Sequence, residues 1–364
     1  MDGEKKEYQT ARMVWLDFFK GLLVFVMVLA HCIQFFGDEK KLIQGAVSEL
    51  ANLTTFSGFF FIFGTTGIVA YLKKPVKQAC YKIAISFWRY IFAYYVSAFA
   101  FSIFVEGSFF LPRTVWNIIS FRELKGYSEF LLAFAAMQLI VLVLLPLWNR
   151  MKQRHYVLLV LISILAVLFP FKQNEEPVIG LFVGSEKFYS FPVLPYLIYF
   201  IAGMWYFNYA KDYSKRVKWM IAAGMVLLSM PCAIYLFHHQ ELPQRFPPGL
   251  LFIFGAAFVI LLYTCLCRKL EQLCGRSGIL QRILLPLQIM GENSLLFLLL
   301  SNLVIFALKG KAFYKQSIGF VIVIFIIILY LCFFIVKITN KKTNQKAGLN
   351  RKAVNDPLIR SFGQ

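Results

Sequence analysis

Residues 15–36 read WLDFFKGLLVFVMVLAHCIQFF, an apolar run long enough to cross a membrane that nevertheless carries Asp17, Lys20 and His31. Each ionisable side chain at the centre of a spanning helix costs roughly 2.5–3.5 kcal/mol on insertion scales, and such residues usually have a function. With about 100° per residue, Lys20 and His31 fall within about 20° of each other and about 16 Å apart along the axis. Asp17 and Gln34 extend this stripe at both ends. We therefore predict an Asp17–Lys20 ion pair and a polar track along one face of the first helix.

The composition is that of an integral membrane protein. Of 364 residues, 59% are hydrophobic and 15% are charged, and the mean hydropathy is +0.67. Continuous runs of Phe, Leu, Ile and Val favour spanning helices over the alternating strands of a barrel. We predict an all-α polytopic protein with about ten transmembrane helices, since spans of about 20 residues are needed. The predicted spans are residues 14–36, 53–72, 83–105, 128–148, 156–171, 192–209, 217–237, 249–267, 284–308 and 317–337.

The net charge of +20 is distributed in a way that argues against nucleic-acid binding. Lys and Arg concentrate in alternate connections, in the N-terminal segment and in the tail. By the positive-inside rule these segments are cytoplasmic, which places both termini inside a cell (inner) membrane. The loop with Lys309, Lys311 and Lys315 is an exception to this pattern. We predict one membrane domain over residues 1–340 and a disordered basic tail over residues 341–364.

Several polar residues within the spans are candidates for chemistry. His31 could act as a general base, because histidine titrates nearest to neutral pH. Lys20 and Arg89, at similar depth on different helices, could share an anion such as a cofactor phosphate. Glu129 starts the fourth span at about the depth of His31. Further candidates for substrate contact are Gln34, Ser294 and Ser301.

Each candidate also has a structural interpretation. His31 could simply hydrogen-bond another helix, Lys20 could only neutralise Asp17, and Arg89 could anchor the interface. Glu129 could cap its helix, and the serines could serve packing. The seven cysteines lie mostly within apolar runs and suit buried small side chains. We therefore predict no metal site.

These residues resemble the acyltransferase 3 family of multi-pass membrane acyltransferases. The family pattern is a Leu-Asp pair, a basic residue with glycine, and a histidine; here it reads Leu16-Asp17, Lys20-Gly21 and His31. Thr66-Gly67, Arg89 and Gly291-Glu292-Asn293-Ser294 are similar to later family motifs. The family more often has arginine at the position of Lys20, and many members have histidine where this chain has Ser301.

The resemblance implies transfer of an acyl group, usually acetyl, from cytosolic acetyl-CoA to a hydroxyl or amine of an extracytoplasmic or lipid-linked glycan. In that case His31 and Asp17 would be catalytic, while Lys20 and Arg89 would hold the phosphates of the donor. Two other hypotheses stay open at this point. The polar track could line the path of a transporter or flippase for a lipid-linked glycan, or the protein could be a non-catalytic partner of a glycan assembly machine.

Overall fold

The computed structural model describes residues 13–108, 111–150, 153–168, 175–187, 191–210, 212–309 and 316–354. These residues form helices joined by loops, and no β-strand occurs among them. The all-α polytopic fold is thereby confirmed. The helices are α1 Val14–Phe36, α2 Leu42–Gly67, α3 Val76–Phe101, α4 Pro112–Ile119, α5 Glu129–Leu144, α6 Gln153–Leu168, α7 Pro177–Val183, α8 Val193–Tyr209, α9 Lys215–His239, α10 Leu250–Cys274, α11 Gly278–Glu292, α12 Ser294–Lys309 and α13 Ile318–Val354.

Seven of the helical segments in the described part of the chain are long and apolar enough to cross a membrane. They comprise α1, α2, α3, α5, α9, α10 and α13, of which α2 and α3 are lengthened by π-helical turns at Ile68–Leu72 and Ser102–Glu106. Apolar α6 and α8 are shorter, at 16 and 17 residues. All ten predicted spans overlap helices, but the count of ten spans stays a prediction. The short helices α4 and α7 lie in connections between the predicted spans.

The predicted ninth span, residues 284–308, is wrong as a single helix. It consists of α11 and α12, which meet at Asn293 with a bend of 84°. The Asn293 side chain donates from Nδ2 to the Ile289 carbonyl at 3.0 Å, and the Asn293 backbone N–H donates to the same carbonyl at 3.1 Å, so Asn293 caps the end of α11. The apolar run is therefore divided at its polar segment, Glu292-Asn293-Ser294.

The last helix continues into the segment predicted as a tail. It ends at Val354, so residues 341–354 have a helical backbone. Residues 355–364 lie outside the described part of the chain, as do residues 310–315 with Lys311 and Lys315. The division into a membrane domain and a tail stays a prediction.

The first helix packs against α11 with direct backbone contact. A Cβ atom on Gly291 would lie 1.8 Å from the Asp17 carbonyl oxygen, and one on Gly21 would lie 2.0 Å from the Leu287 oxygen. Gly64 and Gly203 make a similar reciprocal contact between α2 and α8. Small residues allow such approaches in membrane bundles, where packing rather than hydrophobic burial drives helix association. The glycines therefore fix where α1 lies.

We predict that Gly291→Ala destabilises the protein, because its methyl group must displace the backbone of α1. Overpacking of this kind costs about 1–3 kcal/mol, and backbone atoms yield less readily than side chains. The measurement is the thermal unfolding midpoint in detergent. Gly224→Ala in α9 is the matched control: a Cβ there meets no atom within 4 Å, so the helix gains roughly 0.5–1 kcal/mol. Equal midpoints for Gly291→Ala and wild type would contradict the packing.

Candidate functional site

His31 is buried within α1 and hydrogen-bonded to α12. Its Nδ1 atom lies 2.9 Å from Oδ1 of Asn302. The Asn302 amide continues the chain of hydrogen bonds, because its Nδ2 atom donates to the Tyr127 carbonyl at 2.9 Å. The Tyr127 ring also stands edge-on to the imidazole, with ring centroids 5.1 Å apart. Three separate parts of the chain thus hold one imidazole.

This arrangement determines the tautomer of His31. A carbonyl oxygen only accepts hydrogen bonds, so the amide nitrogen of Asn302 must face Tyr127 and its oxygen must face His31. An amide oxygen also only accepts, and Nδ1 must therefore carry the proton. The other ring nitrogen, Nε2, is left with a lone pair. It has no hydrogen-bond partner among the described residues.

His31 lines a cavity of about 380 Å³ between α1, α2 and the loops that precede α5 and α10. Glu129 also lines this cavity, is buried, and has an Oε2 atom without a hydrogen-bond partner in the described part of the chain. Gln34 lies in the wall and donates to Ser48 at 3.2 Å. Arg245 forms another wall and stacks on Phe246, with its guanidinium 4.3 Å from the ring centroid. We call this space the histidine cavity.

An ion-pair cluster centred on the buried Lys125 holds the loop that carries Tyr127. Lys125 is only 4% exposed, and its Nζ atom lies 2.6 Å from carboxylates of both Glu106 and Glu123. Burial lowers the pKa of Lys125, but its hydrogen bonds to the Glu106 and Glu123 carboxylates and their negative charge outweigh burial, so the pKa of Lys125 lies above its usual value. Tyr127 itself has φ +62°, a left-handed conformation that is uncommon for a side chain of this size. Burial raises the pKa of the Tyr127 phenol to about 12, so the ring is neutral.

The predicted ion pair between Asp17 and Lys20 is present. Lys20 Nζ lies 2.8 Å from an Asp17 carboxylate oxygen. Lys20 also lines a second cavity, of about 210 Å³, which we call the lysine cavity. Its walls include Tyr71, Tyr90, Gln138 and Ser294. The buried Asp17 carboxylate thus holds the Lys20 ammonium group beside a partly open cavity that combines polar and apolar side chains.

Arg89 does not share the lysine cavity. It is exposed and lines a wide groove of about 730 Å³ beside Trp88 and the α11–α12 junction. Ser294, the first residue of α12, lines both the groove and the lysine cavity. The two cations therefore lie on either side of Ser294. Ser301 lines neither of these spaces, since it is buried and donates to the Leu298 carbonyl of its own helix.

The polar track predicted along α1 is divided. Phe130, only 2% exposed, lines both the histidine cavity and the lysine cavity. Its ring thus lies between the two spaces. Lys20 and His31 serve separate cavities on one helix rather than one continuous path.

Sequence reasoning missed three residues around His31. Asn302 was visible as a polar residue in an apolar helix, but nothing indicated that it would bond His31. Tyr127 and Arg245 lie in loops and carried no signal. Among the described residues, no group of three or more His, Cys, Asp or Glu side chains could hold a metal ion, and the absence of a metal stays a prediction.

Comparison with known families gives one match. A family model described as an acyltransferase domain matches residues 13–337. The chain belongs to the acyltransferase 3 family. It is thus a multi-pass membrane protein with the domain of a membrane acyltransferase. No curated protein and no solved structure gives a significant match. The segments around Asp17 and Gly291, which resemble family motifs, lie in direct backbone contact.

We predict that Asn302→Leu disturbs the tautomer of His31. The variant removes the acceptor for Nδ1 and leaves buried polar groups unpaired, at a cost of about 1–3 kcal/mol. The measurement is the ¹⁵N NMR spectrum of histidine-labelled protein, which has four histidines. His31→Gln identifies the signal. Wild type should show Nδ1 protonated, and Asn302→Leu should show a mixture of tautomers.

Asn208→Leu is the control for this measurement. It also removes a part-buried amide contact, the 3.0 Å hydrogen bond from Asn208 to the Tyr156 hydroxyl. Its His31 signal should match that of wild type. A wild-type signal with Nε2 protonated would show that the hydrogen-bond assignment is wrong.

Proposed function

We propose that this protein transfers an acyl group, in the first instance acetyl, from acyl-CoA to a hydroxyl or amine of an extracytoplasmic or lipid-linked glycan. The observation that carries the proposal is the buried His31 imidazole, with Nδ1 bonded to Asn302 and a free Nε2 in the histidine cavity. An imidazole in this tautomer can accept a proton without losing its orientation. Membership of the acyltransferase family supports the reaction class.

In this mechanism Nε2 of His31 removes the proton from the acceptor hydroxyl or amine as its oxygen or nitrogen attacks the acyl carbonyl. The bond from the carbonyl carbon to the thioester sulfur breaks, and the imidazolium returns its proton to the leaving thiolate. In the alternative route, Nε2 attacks the acyl carbonyl and expels the thiolate. The acceptor then attacks the resulting acyl-imidazole, the bond from the carbonyl carbon to Nε2 breaks, and the acceptor's proton passes through the released Nε2 to the thiolate. Asn302 holds the imidazole ring in both cases, because its oxygen accepts the hydrogen bond from Nδ1–H throughout the cycle.

In this proposal the acyl donor binds beside Lys20 and Arg89, in the lysine cavity and the adjoining groove. Lys20 is paired with Asp17 at 2.8 Å but is still 24% exposed toward its cavity. Arg89 faces the adjoining groove, and Ser294 connects the two spaces. Phosphates of acyl-CoA suit these two cations, with Asp17 as the residue that positions Lys20. The donor's acyl end must then pass Phe130 to reach His31.

The glycan acceptor is placed in the histidine cavity. Gln34 and the unpartnered Glu129 carboxyl offer hydrogen bonds to sugar hydroxyls. Arg245, stacked on Phe246, adds a donor edge to the same wall. Ser301 has no part in this placement, because its hydroxyl is bonded within α12.

The same proposal places the protein in the cell (inner) membrane. The basic connections and the start of α1 would face the cytoplasm, where acyl-CoA is found, and the histidine cavity would face outward. Both termini would be cytoplasmic.

The first test is acyl transfer by His31→Ala. With purified protein, labelled acetyl-CoA and envelope glycans, the rate should fall by about 10²- to 10⁴-fold, the usual contribution of a general base. In cells, the acetate content of envelope glycans should fall as it does in a deletion strain. His238→Ala, which changes an exposed histidine, should behave as wild type at equal membrane abundance.

Two results would count against acyl transfer. Unchanged acetate in both the deletion strain and His31→Ala would contradict the proposal. Altered amount or sidedness of glycan with unchanged acetate would favour a transporter.

We further predict that Lys20→Met weakens binding of the acyl donor, acetyl-CoA. Loss of a hydrogen bond between charged groups costs about 1.5–3 kcal/mol, so KM for acetyl-CoA should rise by about 10- to 100-fold. The matched control is Lys20→Arg, which keeps the pair with Asp17 and should keep KM near the wild-type value. A short acetyl thioester without phosphates should react equally well with all three proteins. An equal loss with both donors would show that Lys20 does not contact phosphate.

A further inference from the structure

A separate cavity lies between α8, α9 and α10, at the membrane surface where α1 begins. It encloses about 470 Å³ and includes neither His31 nor Lys20. A contact between two helix ends shows that α1 begins and α10 ends at the same membrane surface. The Trp15 amide near the start of α1 donates to Glu271 near the end of α10, at 3.1 Å. The end of α8 and the start of α9 also line the cavity. We call it the surface cavity.

One end of the surface cavity is basic and aromatic. Arg268, Lys215 and Lys218 contribute positive charge, and Tyr213 and Trp219 contribute rings. Trp219 is 76% exposed, as is typical of tryptophan at the level of lipid headgroups. Such a combination suits an anionic group at a membrane interface.

Two aromatic rings hold the Arg268 side chain at the basic end of the surface cavity. Its guanidinium lies 5.0 Å from the Trp15 ring centroid and 4.8 Å from that of Tyr206. Its Nε atom is buried and has no hydrogen-bond partner in the described part of the chain. A buried donor without an acceptor costs free energy, and a phosphate oxygen would remove that cost.

The other end of the surface cavity is apolar. Ile221, Ala222 and Met225 of α9 face Ile260 and Leu261 of α10. From Lys215 to Met225 the helix rises about 15 Å, so charge at the surface gives way to hydrocarbon at depth. α9 is also the least buried of the seven candidate spans, with 6% of its apolar window buried. This wall therefore borders lipid.

We propose that the surface cavity binds one anionic phospholipid of the surrounding membrane. The phosphate would contact Arg268, Lys215 and Lys218, and one acyl chain would lie along Ala222 and Met225. Charge complementarity favours this occupant, because a zwitterionic lipid offers no net charge to three cations. Since Arg268 packs on Trp15, two residues before Asp17, the lipid would also stabilise the start of α1. The proposal does not depend on acyl transfer.

The test uses the full chain in nanodiscs of phosphatidylcholine mixed with phosphatidylglycerol, with retained lipid counted by native mass spectrometry. Wild type should retain one phosphatidylglycerol molecule. Lys215→Gln with Lys218→Gln should reduce retention about tenfold or more, at about 1 kcal/mol for each cation removed. Lys269→Gln with Arg276→Gln removes the same charge from exposed residues outside the cavity and should retain the lipid.

A second pair of variants tests the apolar end. Ala222→Phe fills the cavity and should abolish retention, whereas Ala223→Phe, at an exposed neighbour outside the cavity, should not. Folding is checked for each variant by its unfolding midpoint in detergent.

Three results would overturn the proposal. Wild type could retain no lipid, or retain phosphatidylcholine equally well, which would exclude recognition of charge. The cavity variants could retain as much phosphatidylglycerol as their controls. Acetyl-CoA could displace the lipid at low concentration, which would identify the cavity as part of the donor site. Inorganic phosphate should not displace it.

Discussion

The backbone contact between α1 and α11 supports the rest of the structure. Gly21 and Gly291 let the two helices approach until backbone atoms touch. This contact, together with the packing of α1 on α2, α10 and α12, sets the depth and rotation of the helix that carries Asp17, Lys20 and His31. Each ionisable group on α1 must meet its partner at a set position, since an unpaired charge or polar group in the bilayer is costly. The glycines therefore have a chemical consequence although they carry no reactive group.

The ionisable groups on α1 are satisfied in two different ways, and the difference separates their proposed roles. Asp17 and Lys20 neutralise each other within one turn of helix at 2.8 Å. His31 instead depends on Asn302, 271 residues away, and through it on the Tyr127 carbonyl. The local pair suits a fixed charge that meets a donor phosphate. The hydrogen bond to Asn302 engages Nδ1 of His31 and leaves Nε2 to exchange protons in the proposed reaction.

Phe130 makes the two cavities distinct, which matters for the proposed transfer. An acyl donor and a glycan acceptor that arrive from opposite sides of a membrane must meet without opening a continuous aqueous path. A buried aromatic ring between the lysine cavity and the histidine cavity meets that requirement. The surface cavity would add a third ligand, a membrane lipid, whose contact with Arg268 reaches α1 through Trp15. All three spaces thus involve α1 or the residues packed against it.

Sequence alone predicted the helical membrane fold, the Asp17–Lys20 pair and the placement of Lys20 and His31 on one helix. These features depend on hydropathy and on helical periodicity, which act over a few residues. The tertiary structure was needed to show that Asn302 holds His31, that Arg245 joins the histidine cavity and that Ser301 lies outside it. It also decided that Asn293 bends the predicted ninth span by 84° and that Phe130 divides the polar track. Those outcomes depend on how distant helices cross and how closely they approach, and side-chain contacts across hundreds of residues leave no pattern in the local sequence.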